Sequence, residues 1–553
     1  MRGKEYKKIL RALAIVTIVA SLGGTYKANA VEINNESEIS VVQKSVLPEK
    51  YISEYTSVKN QEVDGVCWSF AGMATLESYL LKNNMGTYDF SEEYMKWMAT
   101  NGLNGGYGWI LEAGEGAPTQ VVPGMLVSRK GPVLESELPY DASNVKNKPD
   151  NLEDLVPKFD VSSIEFVDNN SEDVKKAIVN YGAVESCYCY NENYETNNNT
   201  SYYCDKVAVT NHAITIVGWD DNYSKENFKE DCRPENNGAW LVKNSSGTEI
   251  GDNGLCWISY EDKNILNTDY GNLNYAIRKA EVYNKNKKVY QYDDYGATTE
   301  FAYKSNDVMY ANVFDFSTED KKLDSVIFES KSKGSKYNVY YIPVDSNGNI
   351  LLEKKVELAA GTIEYKGYIS VPISSFDLPE GKGAIAIKID NEDGNTSIGA
   401  ERAVLISGNL AYKAEYELGQ SYIILGENKY DINKDMSPAY EGNFSIKAVT
   451  LKEDQKPDKP ETPEDPEKPG PGAPEDPEPE KPGTTTPEDP SEPERPGTET
   501  PEDPEPGTTT PEDPKPDKPS KPSQTADTRS IPVIGFLIGA FSSLSLLLKK
   551  KLN

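Results

Sequence analysis

Residues 453–521 carry no large apolar side chain, so no hydrophobic core can recruit them. The stretch is built from Pro, Glu, Asp, Lys, Thr and Gly. Pro-Glu-Asp-Pro recurs from Pro463, Pro474, Pro487, Pro501 and Pro511, and 22 acids stand against 8 bases. Proline and self-repulsion make it an extended, disordered spacer. At roughly 3.1 Å per residue it could reach on the order of 200 Å. An apolar run at 531–548 follows, long enough to span a bilayer, and then Lys549, Lys550 and Lys551. At the other end, Arg2, Lys4, Lys7, Lys8 and Arg11 precede an apolar stretch and Ala28-Asn29-Ala30. That order reads as a cleaved export signal, with the mature chain starting at Val31. Only residues 31–452 remain to fold, enough for two well-packed domains.

Charge and composition exclude some functions. The net charge of −31 repels phosphate backbones, so no nucleic-acid partner is expected. His212 is the only histidine, which removes His-rich zinc chemistry. All six cysteines lie between Cys67 and Cys256. Export permits disulfides. If one thiol is a nucleophile, at most two bridges form and one thiol is left over. Cys187 and Cys189 would share a face of a strand.

Three segments carry chemistry. Gln61-Glu62-Val63-Asp64-Gly65-Val66-Cys67-Trp68-Ser69-Phe70-Ala71 reads as a loop opening a helix, with Phe70, Met73, Ala74, Leu76 and Leu80 as its apolar face. Cys67 falls in the first turn, where the helix dipole favours a thiolate. Its backbone N–H and Gln61 could form an oxyanion hole. Asn211-His212-Ala213-Ile214-Thr215-Ile216-Val217-Gly218-Trp219 reads as a buried strand that begins with the only imidazole available as base. Gly238-Ala239-Trp240-Leu241-Val242-Lys243-Asn244-Ser245 reads as a strand ending at Asn244, which could orient that imidazole.

These segments, in this order, resemble the papain-like (C1) cysteine peptidases. Leu47-Pro48-Glu49-Lys50-Tyr51 resembles their mature N-terminus, and Glu137-Leu138-Pro139-Tyr140 also fits. Leu103-Asn104-Gly105-Gly106-Tyr107 resembles the stretch whose backbone holds substrate, which implies substrate-binding roles for Gly105 and Gly106. The resemblance implies an α+β fold over residues 47–270, catalysis by Cys67, His212, Asn244 and Gln61, protein or peptide substrates, and no cofactor or metal. Asp64 and Leu103 stand where two disulfide cysteines of the family would be. Ser246 replaces the tryptophan that normally shields the His–Asn hydrogen bond. Residues 31–46 form a leader too short for the usual inhibitory propeptide.

Residues 271–451 alternate Tyr, Val and Ile with polar residues and read as an all-β sandwich. Tyr337-Asn338-Val339-Tyr340-Tyr341-Ile342 forms a strand and Asp345-Ser346-Asn347-Gly348-Asn349 a turn. With Tyr290-Gln291-Tyr292-Asp293-Asp294-Tyr295-Gly296, the region resembles the lectin-like domain of clostridial surface proteases. This implies a cell-wall glycan or protein partner. The loop Asp390-Asn391-Glu392-Asp393 could hold calcium. Beyond the spacer (452–522), residues 523–553 resemble a Gram-positive sorting signal, with Ser523 and Ala526 in place of the usual Pro and Gly. Covalent cell-wall attachment and a retained membrane helix are the two anchoring alternatives. The expectation is an extracellular, surface-tethered cysteine endopeptidase of a Gram-positive bacterium. A degenerate protease serving as an adhesin and a Cys–His peptidoglycan hydrolase are its alternatives.

Overall fold

A computed structural model describes residues 47–103, 106–268, 272–406 and 409–452. The export signal, leader, spacer, sorting signal and Gly105 lie outside them. Among the described residues no helix is long and apolar enough to cross a membrane.

The N-terminal unit has four α-helices among its described residues: α1 (Cys67–Lys82), α2 (Glu92–Met98), α3 (Val121–Val127) and α4 (Ser171–Tyr181). Its strands are β1 (Lys50–Ile52), β2 (Gly108–Trp109), β3 (Phe159–Phe166), β4 (Val184–Tyr188), β5 (Ser201–Tyr202), β6 (His212–Asp220), β7 (Ala239–Lys243), β8 (Leu255–Ser259) and β9 (Tyr275–Val282). Helix α1 differs from the one-faced helix that its periodicity predicts. Every residue from Cys67 to Leu80 is buried, because α1 runs through the middle of the unit. Its polar side chains therefore need internal partners. Thr75 Oγ1 donates to Ala71 O, and Ser69 Oγ to Glu92 O. Helix α2 starts where Ser91 Oγ accepts from Tyr94 N, and Glu92 and Glu93 suit the positive end of its dipole.

Two main cores hold the described part of the unit. One joins α1, α2 and α3 through Met73, Leu76, Phe90, Met95, Trp97 and Leu126. The other joins α4 to β4, β6, β7 and β8 through Ile178, Ile214, Ile216, Trp219, Trp240 and Ile258. Strand β6 reads as a near-continuous apolar run because it is buried along its length between β4 and β7.

The C-terminal unit adds β10 (Lys287–Tyr290), β11 (Thr299–Lys304), β12 (Val308–Phe316), β13 (Asp320–Ser330), β14 (Lys336–Pro343), β15 (Val356–Thr362), β16 (Lys366–Asp377) and β17 (Gly381–Asp390). It continues with β18 (Asn395–Glu401), β19 (Val404–Ile406), β20 (Asn409–Lys413), β21 (Ser421–Leu425), β22 (Asn428–Asp431), β23 (Asn443–Phe444) and β24 (Ile446–Lys452). A six-stranded sheet, β15-β14-β17-β12-β21-β22, faces β10-β24-β13-β16. Tyr310, Phe314, Val326, Phe328, Ile385 and Ile387 fill the space between them. The run 337–342 lies within β14, and Gly348 N donates to Asp345 O in the turn that follows.

The two units share a sheet. Strand β16 pairs with β3 (Lys366↔Phe166, Tyr368↔Ile164), so hydrogen bonding runs in the order β10-β24-β13-β16-β3-β9-β4-β6-β7-β8-β5. A buried ion pair, Lys447 Nζ to Asp293 Oδ1 at 2.8 Å, reinforces the junction, and Lys447 also donates to Ser128 Oγ.

Candidate active site

The helical core delivers Cys67 and the sheet delivers its partners. Cys67 is the first residue of α1, and its Sγ accepts from Ala213 N of β6 at 3.4 Å. His212 precedes Ala213 and opens β6. Asn244 follows the last residue of β7. The β6–β7 pairing carries the ends of both strands to one place.

His212 Nε2 lies 2.8 Å from Asn244 Oδ1. Asn244 Oδ1 also accepts from Ser245 N, so this end of the amide is an acceptor and the imidazole proton sits on Nε2. Nδ1 then carries the lone pair. It is buried and has no hydrogen-bond partner among the described residues. A base poised this way has one nitrogen oriented by Asn244 and the other open to a proton.

Burial governs the titration of the pair. It pushes the Cys67 thiol up to about 12, against the pull of the N–H groups of Ala213, Trp68 and Cys67 itself. It pulls His212 down to about 4, with the Asn244 bond opposing. The helix start alone suggests a thiolate, but Cys67 is fully buried and an isolated charge there is costly. Transfer of the proton from sulfur to Nδ1 leaves the pair neutral overall, so that step escapes most of the cost of a lone ion. Glu185 on β4, itself held well above the usual carboxylate range by burial, adds to the upward push on the Cys67 thiol.

Gln61 is buried and gripped at both ends. Its Nε2 donates to Asp64 O at 2.7 Å, and its Oε1 accepts from Ser245 Oγ at 2.5 Å. Gln61 N donates to Ser245 O, and Tyr140 OH to Gln61 O. Gln61, Ser245, Asn244 and His212 thus form one hydrogen-bonded chain. At Gly106 an added Cβ would stand 2.1 Å from Asn101 O, so the position takes no side chain unless the backbone shifts. Among the described residues no group of three or more His, Cys, Asp or Glu side chains could hold a metal ion.

Residues 46–279 match the papain family cysteine proteases, and residues 289–450 match the lectin-like domain. A solved structure of the clostridial cysteine protease Cwp84 after propeptide cleavage is 42% identical, with 72% of this chain and 97% of that one covered and a TM-score of 0.67. The chain belongs to the papain family of cysteine proteases. A structure of the cysteine protease and lectin-like domains of Cwp84, a surface layer associated protein of Clostridium difficile, is 40% identical, with coverages of 80% and 96% and a TM-score of 0.68. Fruit bromelain of Ananas comosus is 25% identical over 225 residues, 40% of this chain and 56% of that protein. This chain therefore spans about half the length of the curated relatives it matches.

The papain-family unit contains site residues that motif reading missed. Tyr188 and Tyr190 pack against the imidazole, at 5.7 and 6.5 Å between ring centroids. They help bury His212 although position 246 is serine. Asp64 takes part in a buried ion cluster: Lys96 Nζ lies 3.1 Å from Asp64 Oδ2 and 2.7 Å from Glu93 Oε2. A second cluster joins Lys59 to Glu77 at 3.1 Å and to Glu92 at 2.8 Å. The signal for both was charge inside apolar helices: Glu77 in α1, and Glu92, Glu93 and Lys96 in α2. All six cysteines are unpaired thiols, and Cys189 lies just past the end of β4.

Proposed function

We propose that this chain is an exported cysteine endopeptidase tethered to the surface of a Gram-positive bacterium, acting on peptide bonds of surface or extracellular proteins. The observation that carries the reading is the bond from His212 Nε2 to Asn244, with Cys67 Sγ held against the next residue, Ala213. In this reading His212 Nδ1 takes the thiol proton as Cys67 Sγ attacks the peptide carbonyl. The carbonyl oxygen, now negative, accepts from the Cys67 N–H and the Gln61 amide. His212 then protonates the leaving amine, and water hydrolyses the acyl-enzyme by the same proton path. The thiol supplies the nucleophile, so the cycle requires no metal or cofactor.

The surface location draws support from the likeness to Cwp84, a surface layer associated protein, and from the order of export signal, acidic spacer, apolar run and lysines. The lectin-like unit would engage a wall glycan or wall protein. The test is casein hydrolysis by the full chain and by Cys67→Ala. Loss in the variant supports the assignment, and full proteolysis by Cys67→Ala overturns it.

A further inference from the structure

Residues 106–116 stand between the catalytic loop and the lectin-like unit. Toward the loop, Gly65 N donates to Gly114 O at 2.6 Å, and Trp68 Nε1 donates to Glu115 O at 3.2 Å. Toward the other unit, β20 pairs with β2 (Gly108↔Lys413, Trp109↔Tyr412), and Ile110 N donates to Ala411 O at 3.0 Å. The Tyr412 ring meets Trp109 edge-on at 5.0 Å, and both are fully buried. Tyr412 OH is anchored in turn on Glu401 Oε1 at 2.5 Å. Tyr107, next to Gly106, donates its hydroxyl to Asp294 Oδ2 at 2.7 Å. Gly108 has φ +103, and an added Cβ would meet the Tyr295 ring at 2.7 Å. Asp294, Tyr295, Glu401 and Tyr412 all lie beyond residue 279, where the match to the papain family ends.

We propose that Asp294 and Tyr412 of the lectin-like unit are positioning residues for substrate: acting through Tyr107 and Trp109, they fix the backbone wall at Gly106. The lectin-like unit is then a working part of the peptidase cleft, in addition to any ligand it binds elsewhere. The ligand class is an extended peptide that runs along this wall. The inference rests on the peptidase reading and on Gly106 facing substrate. The physical case is pre-organisation. A wall already held by backbone pairing and a buried ring is not ordered at the expense of substrate affinity. Loosening it should weaken peptide binding without changing the thiol.

The test uses the full chain and two reagents. A peptidyl vinyl sulfone needs both the wall and the thiol, whereas iodoacetamide needs only the thiol. The readout is the ratio of their rates of Cys67 modification. Asp294→Leu and Tyr412→Leu should lower the ratio at least fivefold with the iodoacetamide rate unchanged. Asp294→Asn keeps an acceptor for Tyr107 and should stay within twofold of the parent. If Tyr412→Leu fails to fold, Asp294 carries the test, because its side chain is 26% exposed. An unchanged ratio in Asp294→Leu, or an equal slowing of both reagents, overturns the inference and leaves the peptidase reading standing. A parent whose Cys67 reacts with neither reagent overturns the peptidase reading, and the inference with it.

Discussion

Replacing His212 by glutamine should change how stability depends on pH, and having a single imidazole makes the effect readable. Burial lowers the ring from the usual 6.5 to about 4. At pH 7 the ring is neutral when folded and mostly neutral when unfolded, so this titration contributes little there. As pH falls through 6.5, the unfolded ring binds a proton that the folded ring refuses. The folded state therefore loses stability down to about pH 4, where the loss reaches about 3 kcal/mol. Buried carboxyls slope the other way: burial raises Glu92, against the pull of Lys59, and lifts Glu329 to about 7, and each favours folding at lower pH. Both proteins share those groups, so the difference between their urea-unfolding curves from pH 7 to 4 isolates His212. The parent should lose about 3 kcal/mol more than His212→Gln. Proton NMR offers a direct check, since the one imidazole gives one set of ring signals. Parallel stability curves, with ring signals titrating near 6.5, would refute the burial argument.

Lys96→Met strands Asp64 and Glu93 as buried charges and should cost about 3–5 kcal/mol, read as a shift in the urea midpoint. Gly106→Ala forces a methyl to within 2.1 Å of Asn101 O, so peptide turnover should fall while the iodoacetamide rate at Cys67 holds. For the anchor, a C-terminal peptide ending at Thr525 and recovered from purified walls supports covalent attachment. A peptide reaching Leu548 in detergent extracts alone supports a retained helix.

Local pattern carried much of the site. Cys67 was legible because the loop before it ends in a helix with apolar spacing. His212 and Asn244 were legible because each adjoins a buried β-run, and pairing of β6 with β7 brings the two together. Long-range pairing was not legible. Nothing in the sequences of β3 and β16 announces that Phe166 and Lys366 are partners across the two units, because strand periodicity states which face is buried and not which strand lies alongside. Pairing of β20 with β2 escaped for the same reason. At Cys67 the helix start favours a thiolate and burial opposes it, since the dipole is local while burial depends on the whole fold. The Asp64–Lys96 pair joins a loop to a helix 32 residues away, and its only hints were the charge of Lys96 inside an apolar helix and the missing cysteine at position 64.

The central claim is that Cys67 is a nucleophile activated by His212, and mass-spectrometric mapping of a peptidyl epoxide on the intact protein tests it most directly. At neutral pH the label should appear on Cys67, with Cys187, Cys189, Cys204, Cys232 and Cys256 largely unmodified. His212→Ala should slow labelling and turnover by at least ~10³, the scale of losing a catalytic triad member. Label spread evenly over the six thiols, or a His212→Ala protein within tenfold of the parent, would contradict the account.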